Sequence, residues 1–176
     1  MIINILKRTL FFIILIILQF SFIKNLPAPI NLIDLVLIGL IFFGIIYDFR
    51  RVLIYALVIG LFVDITTPFF YGIYTISLIF TIVLVEAIYN RFITNRSLYS
   101  ILALLIIGSI SRHYLYFTFL GVWFFFSQKV NFFNQLFTYQ DLLNSGWMIL
   151  LNSIIATMMF LFIYFFSNKF KAILVR

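Results

Sequence analysis

Uncharged apolar runs, each about as long as a bilayer is thick, constrain this chain more than any other feature. Thr9 to Ile23 holds no ionisable residue, and comparable stretches recur along the sequence. A hydrocarbon core of about 30 Å needs about 20 helical residues, within a range of about 17–25. Six such segments can be drawn, at approximately 6–23, 30–47, 52–69, 71–89, 98–126 and 146–166. The third and fourth are parted only by Pro68 to Gly72, a break suited to a tight helical hairpin. The fifth is too long for a simple span and predicts a tilt, a kink at Gly108 or Gly121, or an extension into the interface.

Composition leads to the same solvent. The chain is 65% hydrophobic and 10% charged, against roughly 45–50% and 25% in ordinary soluble domains. A globule of this size cannot hide that surplus, because its surface still needs polar cover. The fold class expected is an all-α polytopic membrane protein of six transmembrane helices, with residues 1–176 forming a single integral membrane domain. Lys7 and Arg8 before the first run resemble a signal-peptide n-region. However, Lys24-Asn-Leu-Pro-Ala-Pro29 offers no small-x-small cleavage site, so the segment reads as a retained span.

Lys and Arg placement tests six crossings independently of hydropathy. One side collects Lys7, Arg8, Arg50, Arg51, Arg91, Arg96, Lys169, Lys171 and Arg176, and the other only Lys24 and Lys129. Nine against two is the asymmetry of the positive-inside rule, and it places both termini in the cytoplasm. The excess positive charge therefore sets topology and meets anionic headgroups, and nucleic acid is not an expected partner. The aromatic residues support that exclusion. They sit in uncharged runs such as Val122-Trp-Phe-Phe-Phe126, not interleaved with basic groups as a base-stacking surface requires. The outer connection 127–145 sets Phe133, Leu136, Phe137, Gln140 and Leu143 at helical spacing. It is expected to form an interfacial helix that anchors in lipid or docks a partner.

Asp64 and Arg112 lie inside apolar runs, roughly 18 and 21 Å from the cytoplasmic ends of their segments at 1.5 Å per residue. A lone charge at such depth costs roughly 2.5–3.5 kcal/mol on insertion scales. The two are expected to pair between helices, with Asp34 and His113 as further participants. Such a pair serves as a packing staple, a solute or proton site, or a partner contact. Asp34 also suits the interface after Pro27 and Pro29, and Glu86 can reach Arg91 or water. Gly39, Gly44, Gly60, Gly72 and Gly108 are expected to admit close helix approach.

Enzyme templates are missing: the sequence has no H-E-x-x-H, G-x-S-x-G or Walker loop, and no paired aspartates of a metal-dependent phosphatidyltransferase. With no cysteine, neither a disulfide nor a thiolate metal site can form. One histidine and five carboxylates leave little for a metal cluster. Neither catalysis nor a cofactor is expected, and Ser109 and Ser111 are expected to bond back to their own helix.

The stretch Ile59-Gly60-Leu-Phe-Val-Asp64-Ile-Thr-Thr-Pro68-Phe-Phe-Tyr-Gly72 resembles the most recognisable segment of the rod shape-determining protein MreD family: a glycine, three apolar residues, an aspartate, and a short turn ending in glycine. Total length, six spans, cytoplasmic termini and the prolines before the second helix match as well. The resemblance implies a non-enzymatic scaffold of the bacterial cell-elongation complex in the cytoplasmic membrane. Its partners would be a bitopic MreC-like protein, the MreB filament, a RodA-type glycosyltransferase and its transpeptidase. It also implies the fold of the substrate-binding subunits of energy-coupling-factor transporters, and hence an alternative function in binding a small solute. Those subunits commonly carry alanines on the first helix, whereas Leu10 to Leu18 here has none. A generic membrane assembly factor would share the composition.

Overall fold

A computed structural model describes residues 2–47, 49–66, 72–92, 97–126 and 139–166. The described residues are helical, with short turns and no strand. In chain order the helices are α1 (Ile2–Ile17), α2 (Leu35–Ile46), α3 (Phe49–Thr66), α4 (Ile73–Phe92), α5 (Leu98–Phe126) and α6 (Tyr139–Phe166). Four helical stretches are long and apolar enough to cross a membrane: Arg8–Asn25, Ile73–Phe92, Leu98–Trp123 and Tyr139–Phe165. The chain is thus an all-helical protein with the makings of a multi-pass membrane protein.

The first of these runs past α1, through one π-helical turn at Leu18–Phe22 and a 3-10 turn at Ile23–Asn25. The second expected span differs most from its sequence reading. Of residues 30–47, only Leu35–Ile46 form α-helix, because a 3-10 turn at Ile30–Leu32 and an extended Ile33 follow the prolines. Asp34 then caps the helix by accepting a hydrogen bond from the Leu37 amide. Twelve residues at 1.5 Å each make α2 about 18 Å long. It is buried on all sides from Val36 to Phe43, as expected of a helix apolar all round, and it touches α1, α3, α4, α5 and α6. It is the central post of the bundle.

Helix α3 lies outside the set of four because its 18 residues carry Arg50, Arg51 and Asp64. Its inward face is nonetheless well defined: Val52, Ala56, Ile59, Gly60, Val63 and Asp64 are buried, while Leu57, Val58, Leu61, Phe62 and Ile65 point away. Helix α5 has the predicted limits. Helix α6 starts at Tyr139, not 146, so residues 139–145 belong to a helix and not to the outer connection. Asp141 in its first turn favours that early start by meeting the positive end of the helix dipole. The remainder of that connection, with Phe133 and Phe137, lies outside the described residues, as does Pro68.

At the end of the bundle holding the C-terminus of α2, Phe12, Phe43, Tyr47 and Tyr55 join α1, α2 and α3 through ring contacts. The Arg8 guanidinium lies 4.0 Å over the Tyr47 ring. Polar side chains concentrate instead toward the other end, where α2 and α4 begin.

Candidate functional site: a polar cluster inside the bundle

Gly60, Asp64 and Gly72 build one half of the cluster. Gly60 and Asp64 are four residues apart and so share one face of α3. That face meets the start of α4. A Cβ placed on Gly60 would stand 2.7 Å from the Thr75 Cα, so only glycine lets the two backbones approach this closely. One turn further along α3, the Asp64 carboxylate accepts hydrogen bonds from the Tyr74 and Thr75 amides, each at 3.0 Å, and from the Thr75 hydroxyl.

Those amides are the second and third of α4, donors that have no acceptor within their own helix. A residue just before a helix ordinarily bonds them with its side chain. Here that residue is Gly72, which has no side chain and adopts a positive φ of 105° to make the turn. Asp64 therefore caps α4 from the neighbouring helix, and its negative charge sits at the positive end of the α4 dipole. The three motif residues have separate tasks: Gly60 permits the approach, Asp64 fills the vacant cap, and Gly72 turns the chain.

The second half joins the π-helical turn after α1 to α2, α5 and α6. Arg112 of α5 pairs with Asp34, and each side chain is 13% exposed. The sequence ranked Asp64 first as the partner of Arg112, but the ion pair falls on Asp34. Asp64 is committed to α4, whereas Asp34 stands at the head of the central helix, where the α5 guanidinium reaches it. Asp34 accordingly caps α2 and pairs with α5 at the same time. Its amide donates to Asn152 Oδ1 at 2.9 Å, and Asn152 Nδ2 donates to Ser109 Oγ at 3.1 Å. Ser109 thus bonds across to α6, contrary to the expectation that it would bond back to its own helix.

Gln19 completes the set. The π-helical turn holds this side chain almost fully buried, and it bonds at both ends to the α2 approach: Nε2 to the Ile33 carbonyl and Oε1 from the Leu35 amide, both at 2.8 Å. Sequence reasoning missed Gln19 and Asn152, since each is one uncharged polar residue in an apolar run. The usable signal was that each is an amide side chain in a segment with few other polar groups.

Arg112 links the halves, with its guanidinium 4.4 Å over the Tyr74 ring. Between them lies a cavity of about 320 Å³, whose walls include Gln19, Lys24, Asp34, Tyr74, Arg112 and Tyr116, with Phe20, Leu37, Val63 and Met148 among the apolar residues. His113 also borders it, its ring packed edge-on against Phe117 at 4.7 Å. Glu86 is remote from the cluster and accepts a hydrogen bond from Asn90, not Arg91. Among the described residues no group of three or more His, Cys, Asp or Glu is placed to hold a metal ion.

Chemically, the arrangement is a set of charge-assisted and amide hydrogen bonds that locks helix ends together around a cationic, largely apolar cavity. No protein-family model matches the chain, and no curated protein or solved structure matches it.

Proposed function

We propose that this chain is a non-enzymatic membrane scaffold of the bacterial elongation machinery, similar to the MreD family, which supports peptidoglycan synthesis by holding an MreC-like bitopic partner. In this reading the protein crosses the cytoplasmic membrane six times with both termini inside. RodA-type glycosyltransferase and transpeptidase subunits complete the assembly. The observation that carries it is the use made of Gly60, Asp64 and Gly72. The residues that bear the resemblance serve one purely structural task, closing the α3–α4 hairpin. Residues that act together as a packing device suit a protein whose work is to present helix faces. The outward residues of α3, Leu57, Val58, Leu61 and Phe62 among them, form a continuous apolar stripe on that hairpin. In lipid such a stripe gains little by itself and holds a partner helix through close packing.

The test is affinity purification of the tagged chain from gently solubilised membranes of the bacterium that encodes it. The scaffold reading expects an MreC-like single-span protein at near-stoichiometric recovery, reduced by bulky polar substitutions on the α3 stripe. Recovery of an ATPase coupling module instead would overturn it.

The cavity favours a second reading, a solute-binding subunit of an energy-coupling-factor transporter. A volume of about 320 Å³ with convergent polar groups falls at the lower end of small-molecule sites. A small molecule that survives purification together with that ATPase module would support this reading over the first.

A further inference from the structure

We propose that the cavity between the turns after α1 and helices α2, α4 and α5 binds a phosphodiester monoanion, of the kind carried by an anionic phospholipid headgroup or by its water-soluble deacylated form. Three charged side chains border it: Lys24, Arg112 and Asp34. Their sum is one positive charge, which a single negative charge would neutralise. The cations come from different elements, Lys24 from the 3-10 turn after α1 and Arg112 from α5, so they approach the cavity from separate walls.

Each cation retains donors. Lys24 Nζ donates to the Asn31 carbonyl at 3.1 Å, and an ammonium has three donors. Arg112 meets Asp34 and the Tyr74 ring, and a guanidinium has five donors, of which a carboxylate takes at most two. A phosphate group, with its oxygens spread around a tetrahedral centre, can meet a forked guanidinium and a point-charge ammonium that approach from different walls, whereas the two oxygens of a carboxylate lie in one plane. At about 30 Å³ per water, the 320 Å³ volume holds about ten waters, enough for a headgroup but not for acyl chains. Lys24 is exposed at the rim, and Phe20 and Met148 supply apolar wall for the glycerol carbons or the first methylenes.

The site holds whichever function applies. For the transporter reading it names the ligand's chemistry, and its failure would leave the partner purification unaffected. The experiment compares the full-length protein in nanodiscs of phosphatidylcholine doped with dioleoylphosphatidylglycerol. Bound lipid is read by native mass spectrometry after release into a zwitterionic detergent. A second arm titrates soluble glycerophosphoglycerol against the detergent-purified protein.

Lys24→Gln at the rim is expected to weaken binding of the anionic probe about tenfold, the loss of one charge-assisted hydrogen bond. Lys24→Arg is expected to restore it, and Arg51→Gln on α3, outside the cavity, to leave it unchanged. Lysine-dependent binding of the lipid alone identifies a headgroup, whereas lysine-dependent binding of glycerophosphoglycerol identifies a free phosphodiester. The proposal is overturned if phosphatidylcholine is retained as well as phosphatidylglycerol, or if Lys24→Gln changes neither arm.

Discussion

Asp64 and Asp34 are both interior carboxylates, yet their surroundings give them different duties. Asp64 is 1% exposed and is held by the second and third amides of α4. Removing it strands donors that have no other acceptor in the helix, at about 1–3 kcal/mol for each buried group left unsatisfied. Asp64→Ala is therefore expected to lower the melting temperature of the detergent-purified protein clearly, and Asp64→Asn by roughly half as much, since the amide oxygen still caps. Equal melting temperatures for wild type and Asp64→Ala would contradict a capping role. The Asp34–Arg112 pair should behave differently. Breaking a buried pair by losing one partner costs about 3–5 kcal/mol, because the other charge stays behind. Arg112→Gln alone should therefore destabilise more than the double change Asp34→Asn with Arg112→Gln, and a double-mutant cycle should report a coupling of about 1 kcal/mol or more.

At the scale of elements, Gly60 and Gly146 give a matched comparison. Both lie in helices, but a Cβ on Gly60 would strike the α4 backbone, and one on Gly146 meets nothing within 4 Å. Gly60→Ala should force α3 from α4 at a cost of about 1–3 kcal/mol, typical of overpacking. Gly146→Ala should be neutral or slightly stabilising, through better helix propensity. Melting the two variants side by side decides the matter, and equal shifts would mean that close approach at Gly60 is unimportant.

The same contrast explains what the sequence made legible. Gly60 and Asp64 stand out because a four-residue spacing puts them on one face, and a carboxylate in an apolar run demands a partner. Which partner was not legible. An amide exposed by a glycine cap outbids a guanidinium only once two helices are docked, and no local pattern records that docking. Residues 30–34 run without a break into the apolar stretch that follows, yet the prolines before them and the Asp34 cap keep them out of α2. In the sequence Gln140 and Leu143 read as part of an interfacial helix in the outer connection, whereas they lie in the first turns of α6. Gln19 was invisible because its burial depends on a π-helical turn that apolar periodicity does not announce.

For the whole molecule, α2 and α3 decide between six crossings and the four that helix length and composition alone provide. α2 is about 18 Å long, short of a hydrocarbon core of about 30 Å, and α3 carries three charged residues. However, α2 lies beside the first candidate span over most of its length. At one end the Tyr47 ring sits under Arg8, and at the other Gln19 bonds to Ile33 and Leu35. A helix that accompanies a spanning neighbour from Arg8 to Gln19 traverses much the same depth, and the 3-10 turns before it extend the path. The six-crossing proposal thus makes a prediction that a four-crossing one reverses. The native chain has no cysteine, so each introduced thiol is a unique reporter. With six crossings, Asn25→Cys should react with a membrane-impermeant maleimide on intact cells, while Arg50→Cys and Asn90→Cys should react only after lysis. If α2 and α3 do not cross, Arg50→Cys will label together with Asn25→Cys. Position 50 separates the two topologies because it follows α2 and precedes the body of α3, where the two crossings in question meet.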